Sequence, residues 1–228
     1  MDKFKDGDFI KISYTGKAVA AGTVFDTTSA EKAKEAGIAE EGRKYAPVLV
    51  VLGKGHVVKG LEDALRDMSI GEQKSVELTP ENAFGARDSN LVRIIPLSEF
   101  KKRELDPFPG MLLDLDGRKG LVKSVSGGRV MVDLNHPLAG EKIVYDVKIE
   151  EKLTETNPKI QAIIDSFNLK AESFKLDGDV LQVVFPQSVK KDVDFIVAKA
   201  SFVNSLLDLM REVKKLSIVE EYSLEQKA

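Results

Sequence analysis

The sequence predicts an α+β fold, and three features of the 228-residue chain predict it. Short segments that alternate apolar and polar residues, as half-buried strands do, recur before Pro80. Between residues 87 and 130, prolines and glycines separate still shorter strand-like segments. After Leu153 come a helix, a hairpin and a longer helix, so the chain ends in a small α+β domain.

The first part of the chain predicts strands and one clear helix. Residues 8–14 alternate, and the pattern resumes at 23–25 after a glycine. Residues 30–44, rich in Ala, Glu and Lys, predict a short solvated helix or helical loop. The apolar run 48–52 predicts a buried strand. A helix and then the strand 73–79 follow, the helix being marked by apolar residues at helical spacing: Val57, Leu61, Ala64, Leu65 and Met68.

Residues 87–130 form a segment of different texture, which we call the insert. Its short strands are joined at Asp116-Gly117 and Gly127-Gly128, both typical hairpin turns. It carries nine Lys or Arg and six Asp or Glu, an ordinary surface on which we expect no nucleic acid. A strand rich in β-formers follows, from Val144 to Ile149.

The C-terminal part, residues 154–228, predicts a helix beginning near Pro158, a hairpin turned at Asp177-Gly178, a long helix from Phe195 to Val213 and a last strand from Leu216 to Tyr222. The long helix is apolar over more than one face. One small hairpin cannot easily cover both faces, so we expect this domain to join two copies of the chain. Packing onto the preceding domain is the alternative.

Composition excludes several classes of protein. There is no cysteine, and only two histidines occur, so no disulfide framework and no metal or other cofactor is expected. The longest apolar run is far shorter than the roughly 20 residues of a membrane-spanning helix, and the charged start does not resemble a signal peptide. The net charge is −3. We therefore expect a cytoplasmic protein that binds neither membrane nor nucleic acid.

Three short motifs suggest chemistry but lack its requirements. Gly53-Lys-Gly55 lacks the spacing of a phosphate loop. Asp114-x-Asp116-Gly117 begins like a calcium loop, but Val125 stands where a bidentate Glu is needed. No Gly-x-Ser-x-Gly elbow positions a nucleophile. The sequence therefore contains no recognisable hydrolase or nucleotide site.

An ordered series of segments carries more information. Tyr14-Thr-Gly, Val24-Phe-Asp-Thr, Val51-Leu-Gly-Lys and Val57-Val-Lys-Gly-Leu-Glu are followed by Ser69-Ile-Gly-Glu and Pro80-Glu-Asn-Ala-Phe-Gly. In this order and spacing they resemble the FKBP-type peptidyl-prolyl cis-trans isomerases. Val132-Asp-Leu-Asn-His-Pro-Leu-Ala-Gly and the following Val144-Tyr-Asp-Val resemble the SlyD-like branch, and long archaeal members look similar in carrying a tail.

The resemblance implies a fold and its division into domains. An antiparallel sheet wrapped on a short helix would comprise residues 1–86 and 131–153. The insert would be an insert-in-flap chaperone domain, and residues 154–228 a separate domain. The catalytic residues implied are Tyr14, Asp26, Phe84 and Tyr145, and the substrate-binding residues are Phe25, Val48, Val57, Val58, Leu61, His136 and Leu138. As ordinary alternatives, Asp26 is a turn residue and His136 a loop histidine.

The activity implied is rotation of X-Pro bonds in unfolded or partly folded polypeptides, with chaperone activity. Rotation faces a barrier of about 18–20 kcal/mol, and an apolar pocket favours the twisted amide, so no nucleophile is needed. Client contacts would come from the insert, through Leu91, Val92, Ile94, Ile95, Phe100 and Phe108. Macrolides should bind weakly, because Leu61, Val48 and Phe84 replace Trp, Phe and Tyr of the best-known members. A non-catalytic binding module or holdase that anchors a protein partner is the competing hypothesis.

Overall fold

The computed structural model describes residues 3–115, 117–186 and 193–220. These residues form two compact units. The first comprises the described parts of Met1–Gly16, Val24–Val76 and Tyr145–Ala228, and the second comprises Lys17–Thr23 and Glu77–Val144. None of the helices in the described ranges is long and apolar enough to cross a membrane.

A five-stranded sheet forms the main α+β part, and the expectation of that fold class is confirmed. Its strand order is β2-β1-β9-β4, with β3 also paired to β1 in antiparallel register. The strands are β1 (Phe9–Ala18), β2 (Thr23–Thr27), β3 (Val48–Val51), β4 (Gln73–Leu78) and β9 (Ile143–Leu153). The predicted solvated helix is only α1 (Ala30–Glu35), because Gly37 takes a positive φ and the chain then turns. The helix α2 (Lys59–Arg66) buries Leu61 and Leu65.

A four-stranded antiparallel sheet forms most of the second unit. Its order is β5-β8-β7-β6, with strands β5 (Val92–Pro96), β6 (Leu112–Leu115), β7 (Arg118–Ser126) and β8 (Arg129–Asp133), and the helix α3 (Leu97–Lys101) follows β5. Gly127 and Gly128 both have positive φ, as a two-residue type I′ hairpin requires. The other predicted turn joins β6 to β7, but its Asp116 lies outside the described residues.

The C-terminal elements form a three-stranded sheet with two helices. They are α4 (Thr156–Ser166), β10 (Ser173–Asp177), β11 (Val180–Phe185), α5 (Val193–Leu209) and β12 (Lys215–Glu220). β10 and β11 make the predicted hairpin, and β12 lies parallel to β11. The predicted last strand extended to Tyr222, which lies outside the described residues.

The C-terminal elements share one apolar core with the five-stranded sheet. Phe9, Val51 and Leu153 are at most 6% exposed and belong to the same cluster as Ile163 and Phe202. Hydrophobic burial of this kind stabilises by roughly 25 cal/mol per Å² of apolar surface. The packing that was the alternative to a tail-mediated dimer is therefore present, although it covers only one face of α5.

Candidate functional site

Four of the expected pocket residues meet in the first unit. Tyr14 lies on β1, Phe25 and Asp26 lie on β2, and Tyr145 lies on β9. The Tyr145 ring contacts Tyr14 and Phe25 edge to face, with ring centroids 5.8 Å apart in both pairs. These two contacts bring the three rings together around Tyr145.

Gly16 leaves the space that these rings occupy. A Cβ at this position would lie 2.5 Å from Phe25 Cζ and 2.9 Å from Tyr145 Cε1. Its φ is not positive, so the close approach, rather than backbone freedom, requires glycine here. The Tyr14-Thr-Gly16 segment therefore supplies the Tyr14 ring and, at Gly16, the space that the Phe25 and Tyr145 rings occupy.

The Asp26 carboxylate has three hydrogen-bond donors. The Tyr14 hydroxyl donates to Oδ2, while the Thr27 N–H and the Arg43 guanidinium donate to Oδ1 at 2.9 and 2.6 Å. Burial, together with the Asp26 carboxylate, raises the pKa of Tyr14 well above its ordinary value. The same two causes raise the pKa of Tyr145 to about 12. Both hydroxyls are therefore protonated at neutral pH.

Arg43 was not among the expected site residues. It lies in the loop before β3, where its guanidinium also stands 5.2 Å from the centre of the Tyr45 ring. Nothing in its local pattern distinguishes it from the neighbouring surface residues of segment 30–44. Its role depends on a contact with Asp26, 17 positions earlier in the chain.

The remaining expected residues of the first unit lie on β3 and on the approach to α2. Val48 is 37% exposed, Val57 and Val58 are half-buried, and Leu61 is buried. Two hydrogen bonds fix the loop that precedes Val57. At its start the Gly53 N–H donates to the buried Glu62 carboxylate at 2.6 Å, and at its end His56 Nδ1 accepts the Val51 N–H.

Phe84, His136 and Leu138 lie in the second unit. The Phe84 and His136 rings stack with centroids 4.6 Å apart, nearly parallel. His136 Nδ1 accepts the Leu138 N–H at 3.1 Å, which closes the start of the loop 136–140 on itself. At the end of the same loop, the Gly140 N–H donates a hydrogen bond to the Gly85 carbonyl.

The expected client-contacting residues divide into exposed and buried groups. Ile94 and Phe108 are each 60% exposed, whereas Leu91 and Val92 are half-buried. Phe100 is 4% exposed and Ile95 packs beside it in the core of the four-stranded sheet. Phe100 therefore contributes mainly to the core of this sheet, and the expectation that Ile95 and Phe100 contact a client remains a prediction.

Within the described ranges no group of three or more His, Asp or Glu side chains is placed to hold a metal ion. The Asp114 carboxylate of the calcium-like motif accepts the Gly117 N–H at 2.8 Å, which is a turn contact.

Comparison with known proteins gives two family matches. The family model of the FKBP-type peptidyl-prolyl cis-trans isomerases matches residues 1–100, and that of the FKBP26 IF domain matches residues 93–138.

Curated proteins are also similar. The short-type peptidyl-prolyl cis-trans isomerase of Methanocaldococcus jannaschii is 34% identical over 147 residues, which is 64% of this chain and 92% of that protein. A probable FKBP-type 16 kDa peptidyl-prolyl cis-trans isomerase of Pseudomonas fluorescens is 35% identical over 109 residues, 46% of this chain and 71% of that one. The SlyD isomerase of Aeromonas hydrophila is 37% identical over 107 residues, 46% of this chain and 50% of that one.

Proposed function

The chain belongs to the FKBP-type peptidyl-prolyl cis-trans isomerase family, whose SlyD-like branch it fits, and from this premise we propose how its residues divide the work on a client polypeptide. Tyr14, Phe25, Asp26 and Tyr145, with Val48, Val57, Val58 and Leu61, form a prolyl pocket that catalyses rotation. The four-stranded sheet of the second unit binds unfolded segments of the same client.

The prolyl pocket works through its shape and its polarity. The twisted amide has lost its conjugation and is less charge-separated than the planar one, so apolar walls of Phe25, Tyr145 and Leu61 favour it. Asp26 is occupied by three donors and is not a general base. Its charge orients the Tyr14 ring and fixes the field across the pocket. The observation that carries this proposal is the Tyr14–Asp26–Arg43 chain beside the packed rings.

The assay for the pocket is isomerisation of an Ala-Leu-Pro-Phe type peptide, coupled to a protease or followed by NMR exchange. Asp26→Ala and Phe25→Ala should each lower kcat/KM by about tenfold or more, equivalent to about 1.4 kcal/mol. Circular dichroism and thermal unfolding establish that both variants are folded. Full activity in both folded variants would remove the site assignment.

Chaperone activity is the second half of the proposal. Ile94 and Met131 are directly opposite each other on β5 and β8 and are 60% and 38% exposed, while Leu112 on β6 is 71% exposed. Exposed apolar side chains on an open sheet suit transient strand-like contacts with an unfolded chain. A client bound to this sheet would present its X-Pro bonds to the prolyl pocket at a high local concentration.

A deletion and a pair of point variants test this division. Asp88 and Asn135 hydrogen-bond to each other through backbone and side chain, so residues 89–134 can be replaced by a short loop between them. Catalysis of proline-limited refolding of a protein should fall far more than isomerisation of the tetrapeptide. Ile94→Ser should weaken refolding catalysis, whereas Ile70→Ser, an isoleucine 57% exposed outside the sheet, is the matched control. Equal losses in both assays would contradict the proposed division.

Weak macrolide binding belongs to the same proposal. Val48 and Leu61 offer a macrolide ring less contact area than larger aromatic side chains do. Phe84 lacks a hydroxyl with which to donate a hydrogen bond. Titration with a macrolide should therefore give a much weaker affinity than the family's best-known single-domain members show.

We also place a homodimer contact on α5. Phe202 and Leu206 are buried in the core, but Val193, Ile196, Val197 and Leu207 are 45–69% exposed on the opposite side of the helix. Ala200 lies on the same face, with Val193 and Leu207 each seven positions away along the helix. In a two-fold dimer this small residue would permit two copies of the helix to approach closely.

Sedimentation at micromolar concentration tests the dimer. We expect a dimer for the full chain and a monomer for Val197→Glu, which introduces a charge into the face. Lys170→Glu, an exposed change off this face, serves as the control. A monomeric full chain would end this part of the proposal without affecting the isomerase.

A further inference from the structure

A cavity of about 170 Å³ opens in the second unit, where β5, β6, α3 and the chain after α3 come together. Five apolar side chains line it: Ile95, Phe100, Leu105, Leu113 and Leu115. Phe100 and Leu113 are 4% and 8% exposed and form its floor, whereas Leu105 is 39% exposed and lies at its mouth. Because Ile94 and Ile95 alternate along β5, the cavity lies on the face of the sheet opposite the exposed Ile94.

The mouth of this cavity is fixed by the way in which α3 ends. The Leu105 N–H donates to the Phe100 carbonyl at 3.0 Å. The Glu104 N–H donates to the Lys101 carbonyl at 3.1 Å, and Glu104 has a φ of 56°. Two such hydrogen bonds and a left-handed residue form a Schellman motif. Leu105 is therefore held beside Phe100 before a ligand arrives, and a preformed site loses less entropy on binding than a flexible one.

The volume of the cavity indicates the kind of ligand that it can hold. Pockets for whole small molecules typically measure about 300–1,000 Å³. An apolar cavity of roughly 150 Å³ lined by Leu, Ile and Phe can hold one benzene ring. A cavity of about 170 Å³ therefore suits one phenylalanine side chain of a polypeptide.

The charged side chains that line the cavity are of two kinds. Both carboxylates have a donor, since Glu99 is paired with a lysine at 2.7 Å and Asp114 accepts a backbone N–H at 2.8 Å. Arg93 and Arg103 differ: in the part of the chain that the structure describes, neither has a carboxylate within ion-pair distance. The unpaired charges around the cavity are therefore both positive, which favours a carboxylate beside a bound ring.

We propose that this cavity is an anchor site for a phenylalanine with an acidic neighbour in an unfolded client. The ring fills the apolar cavity, and the neighbouring carboxylate binds Arg93 and Arg103. The inference rests on the proposed client binding by the second unit, and it names the client sequence that is bound. The anchor gives the sheet a preference that exposed apolar side chains alone do not provide, because charged groups contribute more to specificity than to affinity.

The experiment titrates the isotope-labelled full chain with short Gly-Ser peptides and follows the backbone amide signals by NMR. The peptides contain no proline, so that they do not require the prolyl pocket, and both ends are blocked, so that one side chain is the only carboxylate. A peptide with a central Phe-Glu should bind with a Kd about tenfold lower than peptides that carry Phe-Lys or Ala-Glu instead. The largest shifts should occur in residues 99–105 and 113–115.

Charge reversal locates the bound carboxylate. Arg93→Glu combined with Arg103→Glu should raise the Kd of the Phe-Glu peptide about tenfold. The same double variant should bind the Phe-Lys peptide more tightly than the wild type does, which a misfolded protein would not. Lys101→Glu, an exposed charge reversal on α3 outside the lining, is the matched control and should leave both Kd values within twofold.

Two results would overturn the anchor site. One is an equal Kd for the Phe-Glu, Phe-Lys and Ala-Glu peptides in the wild type, or no measurable binding of any of them. The other is a loss of Phe-Glu binding in Ile94→Ser but not in the double variant, which would place the peptide on the opposite face of the sheet. Failure of the proposed client binding itself has a different signature, because refolding catalysis would then be unchanged by replacing residues 89–134.

Discussion

At the scale of single residues, the Asp26 carboxylate and its three donors would determine the polarity of the proposed prolyl pocket. A half-exposed carboxylate beside three aromatic rings would hydrate freely, and water would follow it into the pocket. The Tyr14 hydroxyl, the Thr27 N–H and the Arg43 guanidinium replace that water. The charge is kept, and its solvent is replaced by fixed donors.

Arg43→Met should lower kcat/KM for the tetrapeptide about 2–5-fold, because a part-exposed ion pair of this kind contributes up to about 1 kcal/mol. Arg43→Lys should recover part of the loss. Lys44→Met, at the adjacent position, is the control and should be unchanged with this short substrate. Unaltered catalysis in Arg43→Met would show that Asp26 needs no fixed cation.

Tyr145 predicts a pH dependence of stability. Its pKa is about 12 in the folded chain, raised mainly by burial from the ordinary value of 10. Between these values the unfolded chain has lost the proton and the folded chain keeps it. The free energy of unfolding should therefore fall as pH rises from 10 to 12, by up to about 1.4 kcal/mol per pH unit before solvent screening. Urea unfolding across this range should show a shallower fall for Tyr145→Phe, and an identical slope would contradict the assignment.

At the scale of elements, the Asp133 carboxylate links the two chain segments that enter and leave the four-stranded sheet. Asp133, at the end of β8, is 6% exposed and pairs with Arg87. Its Oδ1 also accepts the backbone and side-chain N–H groups of Asn135, at 3.0 and 2.8 Å. The chain enters and leaves the sheet at this point, so the cluster holds both segments.

Asp133→Ala should lower the local stability of this sheet by about 1 kcal/mol or more, because the part-buried N–H groups of Asn135 lose their acceptor. Hydrogen exchange should accelerate in β5 and β8. The matched control is Glu99→Ala, which removes an exposed ion pair with Lys102 and should have little effect. Unchanged exchange rates in Asp133→Ala would mean that the cluster is dispensable.

At the scale of the whole molecule, the shared core makes the C-terminal domain part of the isomerase fold. Removing it after Leu153 would expose Phe9, Val51 and Leu153 and would break the Lys54–Asp208 ion pair. The three side chains alone correspond to an upper estimate of roughly 5–9 kcal/mol at about 1.5–3 kcal/mol each. Domains are stable by only about 5–15 kcal/mol.

A chain truncated after Leu153 should therefore unfold at markedly lower urea concentration than the full chain, or aggregate. Replacing Phe9 and Val51 with Thr in the truncated chain should restore solubility by removing the exposed apolar patch. A truncated chain as stable as the full protein would show that the shared core contributes nothing to the isomerase sheet.

The sequence by itself determined the features that depend on near neighbours. Gly127-Gly128 predicted its hairpin because both positions need positive φ. The hairpin predicted at Asp177-Gly178 forms between β10 and β11, and the ordered motifs predicted the family.

Only the tertiary structure decided which distant surfaces meet. Periodicity showed that α5 is apolar on more than one face, but not that Phe202 and Leu206 pack inward while Ile196 and Leu207 stay exposed. It likewise gave no sign that Arg43 binds Asp26 or that Phe100 fills a core. The physical reason is that the hydrophobic effect has no direction. A sequence pattern indicates that a side chain is buried, whereas the packing of the whole chain determines which residues it contacts.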